Sequence, residues 1–302
     1  MELPVIDLGP YLECSAKFIA DGAPKTPLGL DDLGPELRDL CSVVSETLRD
    51  TGALLIKDPR CSAEDNDRFL DMMEKYFEKS DEFKRQQERP HLHYQVGVTP
   101  EGVEVPRSFV DEELQNMINM MPEEFRPSIP MGPDPKWRYM WRVGPRPPST
   151  HFQELNSEPV IPEGFPEWKD TMDSWGSKMI SAIEVVAEMT AIGFGLPKDA
   201  FTSLMIRLEW LTAGECTAGM HEVVVTKQTI AAIESARLKN QSLWRVSSTL
   251  FAHIASDAML KPLGHFAELP SSSKYPAMCA GEFVELELSA INLKGKKKQE
   301  VS

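Results

Sequence analysis

Three polar residues in the last third of the chain have the types and spacing of a site for a metal and a carboxylate. His221 lies in 220–226, and Arg245 and Ser247 lie in 243–254, two segments whose pattern predicts strands. Residues two apart on a strand share a face, so the arginine and the serine point the same way. An imidazole can ligate a divalent metal, and a guanidinium binds a carboxylate through two parallel hydrogen bonds, to which a serine hydroxyl can add a third. If the two strands are neighbours, the pattern predicts a metal and a carboxylate-bearing ligand in one cavity.

The other histidines have a weaker context for metal binding. His91 and His93 are two apart and would share a strand face, but they lie outside the expected core and lack a carboxylate at ligand spacing. His151 follows a Pro-Pro-Ser-Thr stretch, which indicates a loop. His253 and His265 flank a Pro-Leu-Gly turn, where local hydrogen bonding is the expected role. These residues therefore favour structural roles.

The N-terminal elements that must position the site are predicted from local patterns. A short strand is expected at 3–8, a helix with one apolar face at 35–50, and a buried strand at 53–56. A second helix begins after Ser62, with Asp65 placed to complete a capping box. The region 1–165 is thus predicted to be helical, ending in a long irregular connector with short helices from 91 onward.

The second region, 166–290, begins with the clearest helix in the sequence, predicted at 166–192 from its apolar stripe. A short helix is expected to open at 196–201, and a further helix is expected at 229–238. The pattern otherwise switches to strands. These are predicted at 208–211, 220–226, 243–254 and 282–288. The remainder, 291–302, is a basic tail that is expected to be solvated.

Composition excludes several classes of partner. The chain has 32 Lys and Arg against 47 Asp and Glu, a formal net charge of −15, so it repels nucleic acids and anionic membranes. No stretch is apolar enough to cross a bilayer, and the first residues lack the features of a secretory signal. The cysteines are scattered, odd in number and without a C-x-x-C pair, which favours reduced thiols in the cytoplasm. They are Cys14, Cys41, Cys61, Cys216 and Cys279.

The order of these segments resembles the 2-oxoglutarate- and Fe(II)-dependent dioxygenases of the plant isopenicillin-N-synthase-like type. In that family one core strand carries an iron-ligating histidine, and an R-x-S motif on a later strand grips the far carboxylate of 2-oxoglutarate. The resemblance implies that His221 is a metal ligand and that Arg245 and Ser247 bind the co-substrate. Other pieces follow the family's order. They are the P-V-I-D strand at 3–8, the helix and strand of 37–56, the F-x6-K segment 77–84, the L-P-x-D turn at 195–199 and the closing strand in 275–286.

The family's other two iron ligands, which form an H-x-D or H-x-E motif, have no counterpart in this sequence. None of the six histidines is followed two places later by Asp or Glu. The chain runs from Met205 almost directly into 208–211, where the family places several dozen residues, several strands and that motif. About four strands are predicted after Met205, whereas a double-stranded β-helix closes with about eight. The predicted fold is therefore α+β, with a helical N-terminal region and an incomplete double-stranded β-helix (jelly-roll, cupin-like) core.

The resemblance implies an oxidoreductase that uses Fe(II) and 2-oxoglutarate to oxidise a small organic metabolite, with the aromatic run 137–141 lining its pocket. Because the H-x-D ligands are missing, this chain is predicted to be inactive. Alternative splicing, a deletion or a gene-model error would each explain the missing block. The alternative function is that of a non-catalytic splice product, an interaction or regulatory protein that self-associates through open sheet edges. A third hypothesis is that the chain does not accumulate as a folded protein.

Overall fold

The computed structural model describes residues 3–20, 33–202, 208–219, 223–252 and 255–294, so His221 and His253 lie outside the described residues. The α-helices and strands follow in chain order. They are β1 (Val5–Asp7), α1 (Gly9–Ala20), α2 (Pro35–Thr51), β2 (Leu55–Lys57), α3 (Ala63–Phe77), α4 (Asp81–Arg85), β3 (Gly97–Thr99), α5 (Arg107–Val110), α6 (Glu112–Met120), β4 (Arg138–Met140), α7 (Trp168–Gly193), α8 (Leu208–Leu211), α9 (Lys227–Leu238), β5 (Met259–Leu260), β6 (Met278–Cys279) and α10 (Ala280–Ala290).

Helices α2 and α7 form the first hydrophobic core. Both carry apolar residues at helical spacing, so each has one face that must be covered. The parallel pair β1–β2 and helix α1 close this core from the side. Its buried members are Ile6, Leu8, Tyr11, Leu33, Cys41, Val44, Ala182, Val185, Met189 and Ile192. The predicted helices at 35–50 and 166–192 and the strands at 3–8 and 53–56 are confirmed, with small differences in their ends.

Helix α3 begins with the predicted capping box. The Ser62 hydroxyl accepts a hydrogen bond from the Asp65 backbone N–H at 3.1 Å, and the Asp65 carboxylate accepts one from the Ser62 backbone N–H at 3.1 Å. Two otherwise unpaired donors at the helix start are thereby satisfied. The buried face of α3 packs against the start of α7 to form a second, aromatic core. Its members include Phe69, Met72, Met73, Tyr76, Phe77, Phe165, Trp168 and Met172.

The strands in the described residues form three separate two-stranded sheets. β1 and β2 are parallel, whereas β3–β4 and β5–β6 are antiparallel. In β3–β4, Val98 lies opposite Tyr139, which ties the connector to the aromatic core. A fold that mixes helices and sheets is thus confirmed. The described residues show these three short pairs in place of two facing sheets.

Several elements predicted in the C-terminal half are wrong. The segment 208–211 is helix α8, and 282–288 lies inside helix α10. The described parts of the other two predicted strands, 223–226 and 243–252, are irregular, and 196–201 forms turns where a helix was expected. A strand needs a partner for its backbone hydrogen bonds, whereas a helix satisfies them within itself. Where no neighbouring strand is present, the Glu- and Leu-rich segment 282–288 therefore folds as a helix.

The helix predicted at 229–238 is confirmed as α9 and begins with its own capping box at Thr226. The irregular connector with short helices is also confirmed, since 91–166 contains only α5, α6, single 3-10 turns and two strands of three residues. No helix among the described residues is both long and apolar enough to cross a membrane.

Candidate ligand cavity

A cavity of about 900 Å³ lies between α3, β4, the middle of α7 and the segment 244–252. Such a volume is within the range of small-molecule sites, which are concave and largely apolar. Its wall is rich in aromatic side chains. These are Phe69, Phe77, Trp137, Tyr139, Trp141, Trp175, Trp244 and Phe251. The aromatic run 137–141, expected from the sequence to line a pocket, does line this cavity.

Hydrogen bonds hold the rings contributed by β4 and its flanks. Trp137, Tyr139 and Trp141 alternate along the chain and pack against the aromatic core. The Tyr139 hydroxyl donates to the carbonyl of Val160 at 2.6 Å, and the Trp141 indole N–H donates to the carboxylate of Asp173 at 2.8 Å. Burial raises the pKa of the Tyr139 hydroxyl far above its ordinary value, so this group stays a neutral donor.

The segment 244–252 closes one side of the cavity and packs on α7. Val246 and Ser248 are half-buried, and the Ser248 hydroxyl oxygen accepts a hydrogen bond from the Trp175 indole N–H at 3.0 Å. The same hydroxyl lies 3.3 Å from the sulfur of Met179. These contacts position the segment without a strand partner.

Arg245 and Ser247 lie on the opposite side of this segment and are exposed. They contribute to the lining of the cavity, but they do not lie on a strand, so the geometry expected for them is not formed. His221, the expected metal ligand, lies outside the described residues, and its position relative to Arg245 is not described. Their roles in binding a metal and 2-oxoglutarate therefore stay predictions.

The donor groups of the described residues do not fit an iron centre of the expected kind. A 2-His-1-carboxylate site needs three ligands on one side of the metal. Among the described residues no group of three or more His, Cys, Asp and Glu side chains could hold a metal. His91 and His93 do not share a strand face, because His91 lies in a 3-10 turn and His93 follows it with a φ of +53°.

The cavity wall also carries charged side chains that the sequence patterns had not placed in a cavity. Lys84 is only 4% exposed, pairs with Asp81 at 2.9 Å and lies 4.1 Å from the centre of the Trp137 ring. Arg138 lies 2.8 Å from Glu104, close enough for charge attraction, although the angle is outside the range of a hydrogen bond. Burial lowers the pKa of Arg138, and the charge of Glu104 opposes that shift.

Arg142 differs from these two cations because it has no ion pair or hydrogen bond among the described residues. Its Nε atom is buried without a partner. Burial lowers the pKa of the guanidinium, and the nearby charge of Arg146 lowers it further. Arg138 lies between Trp137 and Tyr139, and Arg142 follows Trp141. No sequence pattern distinguished these two arginines from exposed ones.

Comparisons with known proteins bear on the fold. No family model and no curated protein sequence matches this chain. Among solved structures, a Caulobacter crescentus protein assigned to the 2OG-Fe(II) oxygenase family superposes with a TM-score of 0.63 at 15% sequence identity, covering 95% of this chain and 98% of that one. A full-length Neurospora crassa protein in complex with alpha-KG gives a TM-score of 0.60 at 12% identity, covering 95% of this chain and 96% of that one.

The same Neurospora crassa protein with alpha-KG and thymine gives a TM-score of 0.55 at 12% identity, over 95% of this chain and 96% of that one. At such identities the likeness concerns the fold. The chain therefore shares the fold of 2OG-Fe(II) oxygenase family proteins.

Proposed function

We propose that this chain is a catalytically inactive relative of the 2-oxoglutarate- and Fe(II)-dependent oxygenases, of the plant isopenicillin-N-synthase-like type, that binds a small organic metabolite. The observation that carries the proposal is the aromatic cavity of about 900 Å³, which is formed even though the sequence has no H-x-D motif. Its walls come largely from α3, β4 and α7, which do not depend on the missing segment.

The chemistry of iron binding supports the lack of activity. Three protein ligands are needed to hold Fe(II) while leaving positions for 2-oxoglutarate and oxygen. His221 is the one ligand that the resemblance assigns here, and a single imidazole cannot replace the set. The exposed positions of Arg245 and Ser247 also disfavour a tight grip on the co-substrate. The core is accordingly proposed to be an incomplete double-stranded β-helix.

An anaerobic titration with Fe(II) and 2-oxoglutarate tests the proposal directly. In a complete site this pair gives a visible charge-transfer absorption, and we expect none from the purified chain. Succinate formation on admitting oxygen should stay at the level of a His221→Ala variant, which serves as the matched control. An absorption band that appears in the natural chain and disappears in His221→Ala would overturn the proposal.

A second candidate function, self-association as an interaction protein, is favoured by the surface of β1–β2. Val5 is 64% exposed, Leu55 50% and Ile56 39%, on a sheet of only two strands. Open edges with apolar side chains are templates for pairing with another chain. Sedimentation velocity should then show a dimer that Leu55→Lys disperses, whereas a monomer at all concentrations would exclude this function.

The compartment proposed for the chain is the cytoplasm. All five cysteines are free, and no two of them are paired in a disulfide. Burial raises the pKa of Cys41 to about 12 and that of Cys216 to about 11, so both stay protonated and unreactive. Free thiols of this kind suit a reducing environment.

A further inference from the structure

We propose that the ligand of the aromatic cavity is a small aromatic carboxylate and that Arg142 binds its carboxylate group. This inference rests on the proposed function, because it names the class of metabolite that the same cavity would take. It differs from the resemblance, in which Arg245 and Ser247 would grip 2-oxoglutarate. It is carried by an unpaired guanidinium, by the charge of the lining and by the flat apolar walls.

Arg142 is half-buried, its Nε atom has lost water without gaining an acceptor, and no carboxylate among the described residues pairs with its guanidinium. A buried donor without a hydrogen bond is costly, more so when it belongs to a charged group. Two other cations of the wall, Lys84 and Arg138, form ion pairs with Asp81 and Glu104, although the Nε and Nη2 atoms of Arg138 are also buried without an acceptor. Among the described residues Arg142 has no such carboxylate, and its buried Nε has no acceptor. A ligand carboxylate would supply the missing charge and acceptor, since its two oxygens match the two-pronged geometry of a guanidinium.

The lining as a whole favours an anion although the protein is acidic. The chain carries a net charge of −15, but five cationic side chains and three carboxylates line the cavity. The cations are Lys84, Lys136, Arg138, Arg142 and Arg245, and the carboxylates are Asp81, Glu101 and Glu104. In a cleft with low-dielectric walls, such an excess of positive charge attracts ligands of the opposite charge.

The aromatic walls of the cavity favour a ligand with a planar apolar ring next to its carboxylate. Trp137, Trp141 and Trp175 all line the cavity, and Trp175 stacks on Phe69 with ring centres 5.5 Å apart at an angle of 20°. Hydrogen bonds hold two of these indoles, to Asp173 and to Ser248, so their faces are ordered before a ligand arrives. Preordered aromatic faces gain both buried area and ring–ring contact with an aromatic ligand. An aliphatic dicarboxylate such as 2-oxoglutarate would interact with the cations of the lining but would not stack on these aromatic faces.

The test is calorimetric titration of the full chain with 2-naphthoate and with its neutral analogue 2-naphthamide. We expect naphthoate to bind about tenfold or more tightly than the amide, the usual size of a hydrogen-bonded charge contact. Arg142→Gln should reduce naphthoate affinity by a similar factor and leave the affinity for the amide unchanged. Arg142→Lys keeps the charge without the two-pronged geometry. Its affinity for naphthoate should therefore lie between that of the natural chain and that of Arg142→Gln. Arg146→Gln, which removes a neighbouring exposed arginine paired with Glu158, should bind naphthoate like the natural chain.

Each other result overturns the inference in a distinct way. Equal binding of acid and amide would leave the cavity as a ligand site but remove the carboxylate from the proposal. Unchanged naphthoate affinity in Arg142→Gln would show that Arg142 does not bind the carboxylate. Circular dichroism melting of each variant shows whether it is folded. Tighter binding of 2-oxoglutarate than of naphthoate would show that the cavity does not prefer an aromatic ligand. If naphthoate does not bind at all, the inference is wrong. The iron titration decides separately whether the chain is inactive, because its outcome does not depend on naphthoate.

Discussion

The close approach of α7 to α2 allows a sharp test of the packing that supports the cavity. Gly193, the last residue of α7, lies against the backbone of α2. A Cβ atom added at Gly193 would lie 2.3 Å from the carbonyl oxygen of Cys41 and 2.4 Å from the hydroxyl oxygen of Ser45. Contacts between carbon and oxygen below 3.0 Å essentially do not occur in folded proteins. The helices can therefore approach so closely only because this position has no side chain.

Two effects of opposite sign act on Gly193→Ala. Alanine is a better helix former than glycine by up to about 1 kcal/mol, which would stabilise the protein. Overpacking costs about 1–3 kcal/mol or more when neighbours cannot move aside. The Cys41 carbonyl belongs to the α2 backbone, and Ser45 is only 2% exposed, so neither can turn away. The packing effect wins, and we expect Gly193→Ala to lower the free energy of unfolding by about 1–2 kcal/mol.

Urea denaturation followed by circular dichroism measures this change. The matched control is Gly132→Ala, because a Cβ atom there has no heavy atom within 4 Å and should alter the stability little. If Gly193→Ala were as stable as the control, or more stable than the natural chain, helix propensity would dominate and the inferred α2–α7 contact would be wrong.

Three further predictions concern the contacts that hold α3 and the cavity wall in place. Ser62→Ala removes the helix cap of α3 and should lower the free energy of unfolding by about 1 kcal/mol, measured as a lower urea midpoint. Hydrogen bonds from Lys178 and then from Ser62 lower the pKa of Asp65 from 3.8 to about 2, so its contribution to stability is complete above pH 3.8 and is lost as the pH falls toward 2. The stability difference between the natural chain and Asp65→Asn should therefore shrink over that range, and a difference independent of pH would contradict the assignment. Ser248→Ala leaves the Trp175 indole N–H without its acceptor and should lower the free energy of unfolding by about 1 kcal/mol, whereas an unchanged urea midpoint would show that this contact does not stabilise the packing of the segment.

Elements set by local patterns were predictable from the sequence. Helices α2, α3 and α7 have apolar residues at a period of 3.6, and Ser62 with Asp65 forms a cap within four residues. Their backbone hydrogen bonds are internal, so no distant partner decides whether they form. The strands predicted at 243–254 and 282–288 depended instead on neighbours far away in the sequence. An alternating pattern shows which residues share a face, but it does not show that a partner strand exists.

Only part of the lining of the candidate site could be predicted from the sequence. The family resemblance suggested that the run from Trp137 to Trp141 lines a pocket, and it does line the cavity. The importance of Arg142 was not predictable, since an arginine in a connector is usually exposed or paired. Only the folded arrangement shows that its Nε is buried and that no described carboxylate reaches it.

The packing of 244–252 determines which face of this segment meets α7. Alternation places Arg245 and Ser247 on one side of the segment and Val246 and Ser248 on the other, so only one pair can face α7. Valine gains from burial, and Ser248 meets the Trp175 indole N–H, whereas a buried Arg245 would need a carboxylate. The segment therefore turns its R-x-S face outward. In the proposed site, Arg142 binds the carboxylate of the ligand. Its guanidinium is already partly desolvated and has no ion-pair partner among the described residues.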